Sequence, residues 1–378
     1  MNTIHEYKKL RLIKEINSMS FILTNKNGNY LYLDTQPTSR YQGFFFYNEG
    51  RMFRFIENIE LLNPPPVDTL TNKVYLIERC RSDIIESYCL PENLNTLVYE
   101  LNKGSYLELI LDIKESYDNR QFGRYYTISE KGNSTIIEFR KKTDKLEDNS
   151  NGIEEYRLYL VVKSNSKPEI ISEWIKRDYS LDRERISQPY ERYVYKALRL
   201  FGRRFIFTIG NDLNTALKEA NFVFYNRKKL KDTSGEKFNL PKINDTEIKM
   251  AYICSVDTLR SMYVNEKGLF AGLPWFFQFW SRDELISVKA LMMIGMRKQA
   301  EDLLRKYLYC LGVNHKIRNK SQAPDLDSAD AIGWLFKRLD DYFRIFGKSS
   351  FSKEVGTLFL QKLIIAVDEI LIYNTESG

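Results

Sequence analysis

The segment with the richest side-chain chemistry spans residues 271–284 and reads AGLPWFFQFWSRDE. It places aromatic residues directly before an arginine and two acids. An indole or phenyl face can cover the apolar side of a sugar ring, while a guanidinium and a carboxylate hydrogen-bond its hydroxyl groups. The alternative is that the aromatic residues are core, that Asp283 complements a helix dipole, and that Arg282 pairs with it or with solvent.

A helix is expected directly after these aromatic residues. Ser281 followed three residues later by Glu284 fits a capping box, in which each side chain bonds the backbone amide of the other residue. This spacing predicts a helix that begins at Arg282 and projects its first turn from the aromatic segment.

Two kinds of periodicity divide the chain. From about residue 20 to 165, short β-type runs alternate with turn signals, such as FILTN before KNGN and GFFFY before NEG, which predicts an antiparallel sandwich. The polar segment 229–245 is predicted to be a linker between a β domain, residues 1–228, and a helical domain, residues 246–378. Helical periodicity is found near residues 246–264, 282–297, 297–312, 328–346 and 352–374.

Composition narrows the function classes. The chain has 378 residues, 43% of them hydrophobic and 28% charged, as in ordinary globular proteins. The net charge of +7 is spread along the chain, so a basic RNA-binding protein ranks last among the functions considered. The chain has two histidines and four cysteines, and the cysteines lack C-x-x-C spacing, so few residues are suited to ligate a metal. No cofactor is expected. With no signal-peptide pattern and no run of roughly 18 apolar residues, we expect a cytoplasmic protein without membrane or nucleic-acid partners.

The motifs together resemble the archaeal and bacterial amylo-alpha-1,6-glucosidase (glycogen debranching enzyme) family. Its pattern is close to AG-x-PWF-x-x-WGRD, and this chain reads AGLPWFFQFWSRD, with Ser281 in place of the family glycine. The family's Y-N-S-V-D-A-x-x-W-F corresponds to LDSADAIGWLF at residues 326–336. Near the start, LTNKNGNY at 23–30 and SRYQGF at 39–44 resemble L-T-N-G-x-G-G-Y and R-R-Y-H-G-L, with Gln42 in place of the histidine.

The resemblance implies an antiparallel β-supersandwich followed by a partial (α/α)6 toroid like that of glucoamylase. About five helices are expected here, because a full ring needs roughly 300 residues after the linker and the chain given ends at residue 378. By the same resemblance, Arg282 and Asp283 hold hydroxyls of the non-reducing glucose and Trp280 walls its pocket. Asp330 is a further substrate-binding candidate, or else an acid of the first helical turn with Asp327 as N-cap. Core packing is expected for Trp275 and Phe276.

Catalysis needs more than these residues. Inverting glycosidases place two carboxylates about 6.5–9.5 Å apart, one as general acid and one as general base. The family's general acid lies in a T-W-M-D segment, which this sequence lacks, and its base lies on a later helix. No catalytic residue is therefore predicted, although Asp283 with Asp327 or Asp330 stays open as a carboxylate pair.

Two main functions follow from the resemblance. One is an enzyme subunit of the debranching or glucoamylase type, acting on terminal α-1,6 or α-1,4 glucosidic bonds and inactive as this chain alone. The other is a non-catalytic module that binds an α-glucan such as glycogen or maltodextrin, or assembles with a second chain that completes the toroid.

Overall fold

The computed structural model describes residues 2–15, 19–73, 75–146, 150–226, 242–311 and 330–373, with side chains described up to residue 368. The chain forms two compact units, Met1–Ser261 and Met262–Gly378. Most of the predicted linker, residues 229–241, lies outside the described residues, so the predicted domain boundaries stay predictions.

The first unit is built on β-structure. In chain order its strands are β1 (Asn2–Tyr7), β2 (Leu10–Glu15), β3 (Phe21–Thr24), β4 (Tyr30–Leu33), β5 (Gly43–Asn48), β6 (Arg51–Leu61), β7 (Thr69–Asn72), β8 (Ile77–Arg81), β9 (Ile84–Cys89), β10 (Thr96–Glu115), β11 (Arg124–Lys131), β12 (Ser134–Lys145), β13 (Asn151–Lys163), β14 (Glu169–Asp178) and β15 (Glu191–Gly210). They are hydrogen-bonded in the order β11-β12-β13-β15-β10-β9-β8-β7-β1-β2, with β14 on β15 and β3 to β6 branching from β10. Described pairings are antiparallel except that of β1 with β7.

The hairpin turns lie where the sequence predicts them. Gly28, at a φ of +85°, lies in the turn between β3 and β4. Glu49 and Gly50, both at positive φ, join β5 to β6. Glycine adopts this backbone conformation without a steric penalty, which is why such residues mark tight turns.

The long strand β10 is buried on two faces with different chemistry. Leu107, Leu109 and Leu111 join the large apolar core of the unit. Asp112, the residue after Leu111, is also fully buried, and its carboxylate accepts hydrogen bonds from a group of arginines. These bonds come from Arg54 Nη1 at 2.9 Å, Arg124 Nη1 at 2.9 Å and Arg192 Nε at 3.1 Å. Burial opposes ionisation, but the three guanidinium groups hold the pKa of Asp112 well below its usual range.

Three helices complete the described part of the first unit: α1 (Ser180–Glu184), α2 (Leu213–Tyr225) and α3 (Thr246–Ser261). The Asp212 carboxylate caps α2 by accepting the Thr215 amide at 2.7 Å. The alanines of α2 pack on β13, whereas α3 packs against β1 and β2. The contacts of α3 therefore lie with the β-rich unit.

The second unit is mainly helical. A short hairpin of β16 (Tyr263–Val264) and β17 (Gly268–Leu269) precedes α4 (Ser281–Met293), α5 (Arg297–Cys310), α6 (Ala331–Phe346), α7 (Ser350–Glu354), a π-helical turn (Val355–Phe359) and α8 (Leu360–Tyr373). Helix α4 packs against α5 and α6. The predicted order of β-structure followed by helices is confirmed. Among the described helices, none combines the length and hydropathy that a membrane span requires.

Candidate functional site

The aromatic loop, residues 270–280, joins β17 to α4. Its backbone folds back on itself: the Ala271 amide donates to the Gln278 carbonyl at 3.0 Å, and Gly272 and Phe276 bond each other in both directions. At its two ends, Phe270 and Phe279 stack with ring centroids 5.1 Å apart. The loop is thus a closed structure with its own packing.

The aromatic residues of the loop divide into two sets. Phe277 and Phe279 are buried, as a core role predicts. Phe276 is 55% exposed, so the expectation that it packs in the core is wrong; the backbone bridge to Gly272 fixes it at the outer end of the loop. Its ring meets that of Trp280 edge to face at 6.3 Å, which gives this part of the loop an accessible aromatic surface.

Trp280 is the residue directly before α4. The side chain is partly buried, and its Nε1 is enclosed without a hydrogen-bond partner in the described part of the chain. The exposed part of Trp280 therefore does not include its N–H group.

Arg282 and Asp330 come together although they are far apart in the sequence. Arg282 Nε lies 3.0 Å from each carboxylate oxygen of Asp330, and the two side chains are 53% and 44% exposed. Arg282 lies in the first turn of α4 and Asp330 immediately precedes α6, so the pair joins the starts of two helices. The pair engages Nε of Arg282, and its Nη1 and Nη2 groups are not part of it.

Asp330 and Asp283 occupy helix starts in different ways. Asp330 is itself the N-cap position of α6, so the alternative that places it inside the first turn is wrong; its side chain bonds Arg282 instead of capping the helix. Asp283 is partly buried in the first turn of α4, where a negative charge complements the helix dipole. Asp327 and the rest of residues 312–329 lie outside the described residues.

The predicted capping box is wrong. Helix α4 begins at Ser281 with Trp280 as N-cap and no side-chain cap, and Ser281 Oγ is buried. Glu284 is fully buried and accepts hydrogen bonds from elsewhere. Its donors are the Leu269 amide at 2.8 Å, Lys306 Nζ at 2.8 Å and the Tyr307 hydroxyl. Burial raises the pKa of Glu284, against the opposing effect of Lys306.

Sequence reasoning missed this role of Glu284. Its spacing from Ser281 satisfies a local pattern, whereas its partners Lys306 and Tyr307 lie on α5, beyond the reach of any local rule. Among the described residues, no group of His, Cys, Asp and Glu is arranged to hold a metal ion.

Comparisons with known proteins concern the family resemblance and the fold. Residues 249–371 match the family model described as Amylo-alpha-1,6-glucosidase. Among solved structures, the chain is similar to a bacterial glucoamylase complexed with acarbose, with a TM-score of 0.57 and 13% identity. That match covers 94% of this chain and 60% of the glucoamylase, so the chain spans only part of the glucoamylase's length. No curated protein matches the sequence. The predicted resemblance and the glucoamylase-like fold class are confirmed.

Proposed function

We propose that the start of α4 binds the terminal glucose of an α-glucan such as glycogen or maltodextrin. The observation that carries this proposal is the accessible aromatic pair Phe276 and Trp280 beside the exposed Arg282–Asp330 ion pair. The family match includes this segment, and the glucoamylase of similar fold was solved with acarbose. The cytoplasmic location predicted from the sequence is part of the proposal.

Each side chain has a distinct task in this proposal. The ring face of Trp280 covers the apolar face of the sugar, because stacked C–H groups gain contact without losing hydrogen bonds. Arg282 donates from Nη1 and Nη2 to sugar hydroxyls, and Asp283 accepts from them. Asp330 fixes the direction of the guanidinium through Nε.

In this proposal the chain binds the glucan but does not hydrolyse it by itself. Hydrolysis requires an exposed general acid and an exposed base on opposite sides of the scissile bond. Glu284 is completely enclosed and cannot reach a substrate. The sequence also lacks the T-W-M-D segment that carries the acid in the family.

The family match favours a second function. In it, the site belongs to a glycoside hydrolase that removes glucose from α-1,6 or α-1,4 ends, and a second chain completing the toroid supplies the catalytic carboxylates. The two functions share the same glucose-binding residues and differ in turnover.

Calorimetric titration with acarbose tests the shared step. We expect Arg282→Ala and Trp280→Ala each to weaken binding at least about tenfold, which corresponds to about 1.4 kcal/mol. Arg140→Ala is the matched control, since Arg140 is a partly exposed arginine that also pairs with a carboxylate, that of Glu155 at 2.6 Å. Unchanged affinity in both site variants would contradict the proposal. Release of glucose from maltotetraose or a branched dextrin by this chain alone would contradict binding without hydrolysis, and it would also contradict the need for a second chain.

A further inference from the structure

We propose that Glu284 is a positioning residue that ties both ends of the aromatic loop to α5, so that Trp280 and Arg282 are held ready for a ligand. This inference rests on the proposed glucose-binding function. It concerns a residue that touches no ligand itself, because its carboxylate is fully enclosed.

The hydrogen bonds of Glu284 join three elements. Oε1 accepts the amide of Leu269, the last residue of β17 and the residue before the loop. Glu284 itself lies in the first turn of α4, after the loop. Oε2 accepts from Lys306 and Tyr307 of α5. One carboxylate thus fixes where the loop starts, where it ends, and how both lie against the next helix.

Lys306 extends this connection to the loop and the hairpin. Its Nζ also donates to the Lys267 carbonyl at 3.2 Å and lies 5.3 Å from the centre of the Phe279 ring. The ammonium group therefore contacts the hairpin turn, the carboxylate and an aromatic residue of the loop at once. Such a shared donor restricts the loop more than an isolated ion pair does.

Gly268 gives independent evidence that the hairpin is built around this carboxylate. A Cβ atom at Gly268 would lie 1.9 Å from Glu284 Oε1, and the φ of +146° is disfavoured for other residues. The backbone approaches the carboxylate so closely that only glycine fits.

Stability alone does not account for a carboxylate at this place. A buried ion pair as a whole gains little over apolar residues of similar size, because desolvation offsets the attraction between the partners. An apolar residue cannot accept hydrogen bonds, so it would not fix the positions of the three donors. These donors define where the end of β17, α4 and α5 meet. We therefore expect loss of the carboxylate to alter the ligand site as well as the unfolding temperature.

The test compares Glu284→Leu, Glu284→Gln and the control Glu301→Gln. Glu301 is a largely buried carboxylate of the same unit that also accepts from an arginine and a tyrosine, but it lies between α5 and α6, away from the loop. The readouts are acarbose affinity, unfolding temperature, and the indole N–H signal of Trp280 in nitrogen-edited NMR spectra.

Glu284→Leu should shift the Trp280 signal and weaken acarbose binding about tenfold or more. Glu284→Gln should show a smaller shift of the Trp280 signal and a smaller loss of acarbose affinity. Its amide oxygen still accepts from Leu269, while the pairing with Lys306 is lost. Glu301→Gln should change neither. If Glu284→Leu does not fold, Glu284→Gln carries the test with a smaller loss of about threefold.

Two results would overturn the inference: a folded Glu284 variant with unchanged Trp280 signal and affinity, or equal losses in Glu301→Gln. If the unaltered protein does not bind acarbose, the proposed function fails, while the Trp280 signal still decides whether Glu284 positions the loop.

Discussion

Replacing Asp257 with asparagine should stabilise the β-rich unit at pH 8 and change its stability little at pH 4. Asp257 is a partly buried residue of α3, the helix that packs on β1 and β2. Burial raises its pKa from 3.8 to about 7; Arg260 opposes this rise and Glu92 adds to it.

The direction follows from proton binding. Below pH 3.8 the side chain is protonated in both the folded and the unfolded chain, and its favourable contribution is fully present. Between pH 3.8 and about 7 only the folded chain keeps the proton, so stability falls as the pH rises. At about 1.4 kcal/mol per pH unit the total loss is about 4 kcal/mol, and partial solvent access reduces it to about 2 kcal/mol. Asparagine cannot ionise, so the stability of the Asp257→Asn variant does not fall with pH in this way.

Urea unfolding at a series of pH values from 4 to 8 measures the effect. The free energy of unfolding of Asp257→Asn should exceed that of the unaltered protein by about 2 kcal/mol more at pH 8 than at pH 4. Glu247→Gln, on the same helix with an exposed carboxylate paired to Lys14, is the control and should show no such trend. Parallel curves for Asp257→Asn and the unaltered protein would show that the Asp257 carboxyl has the same pKa in the folded and the unfolded chain.

Two further substitutions test the packing. Asp112→Ala should lower the free energy of unfolding of the first unit by about 3–5 kcal/mol, because the three arginines around it stay buried without their counter-charge. A change of under 1 kcal/mol in urea unfolding would show that water enters the cluster and solvates the arginines. Gly268→Ala should cost at least about 1–3 kcal/mol, since its Cβ would collide with Glu284. Gly132→Ala shares a positive φ but meets no atom within 4 Å, so thermal unfolding should show a smaller loss, and equal losses would contradict the steric argument.

Much of the fold is encoded locally. The turns at Gly28 and Gly50 are predicted because few residues accept their backbone angles, and the strands between them follow from β-branched and aromatic runs. Helices α4 to α6 lie close to the ranges that their apolar periodicity predicts. In these regions the local pattern and the tertiary environment favour the same structure.

The candidate site was only partly predictable, because its decisive contacts are not local. Trp280 and Arg282 stand out by their spacing, but the partner of Arg282 is 48 residues away and follows from the packing of α4 on α6. The spacing of Glu284 fits a capping pattern, but its carboxylate accepts hydrogen bonds from side chains of α5 instead. The sequence predicts Phe276 as a core residue, whereas its ring is exposed in the loop that the Gly272–Phe276 bridge closes.

If the start of α4 holds a glucose unit, a crystal structure of the protein with acarbose should show it there. We expect a sugar ring against the face of Trp280, with Arg282 and Asp283 within hydrogen-bonding distance of its hydroxyls. Acarbose bound elsewhere with this surface empty, or no bound acarbose at saturating concentration, would contradict it.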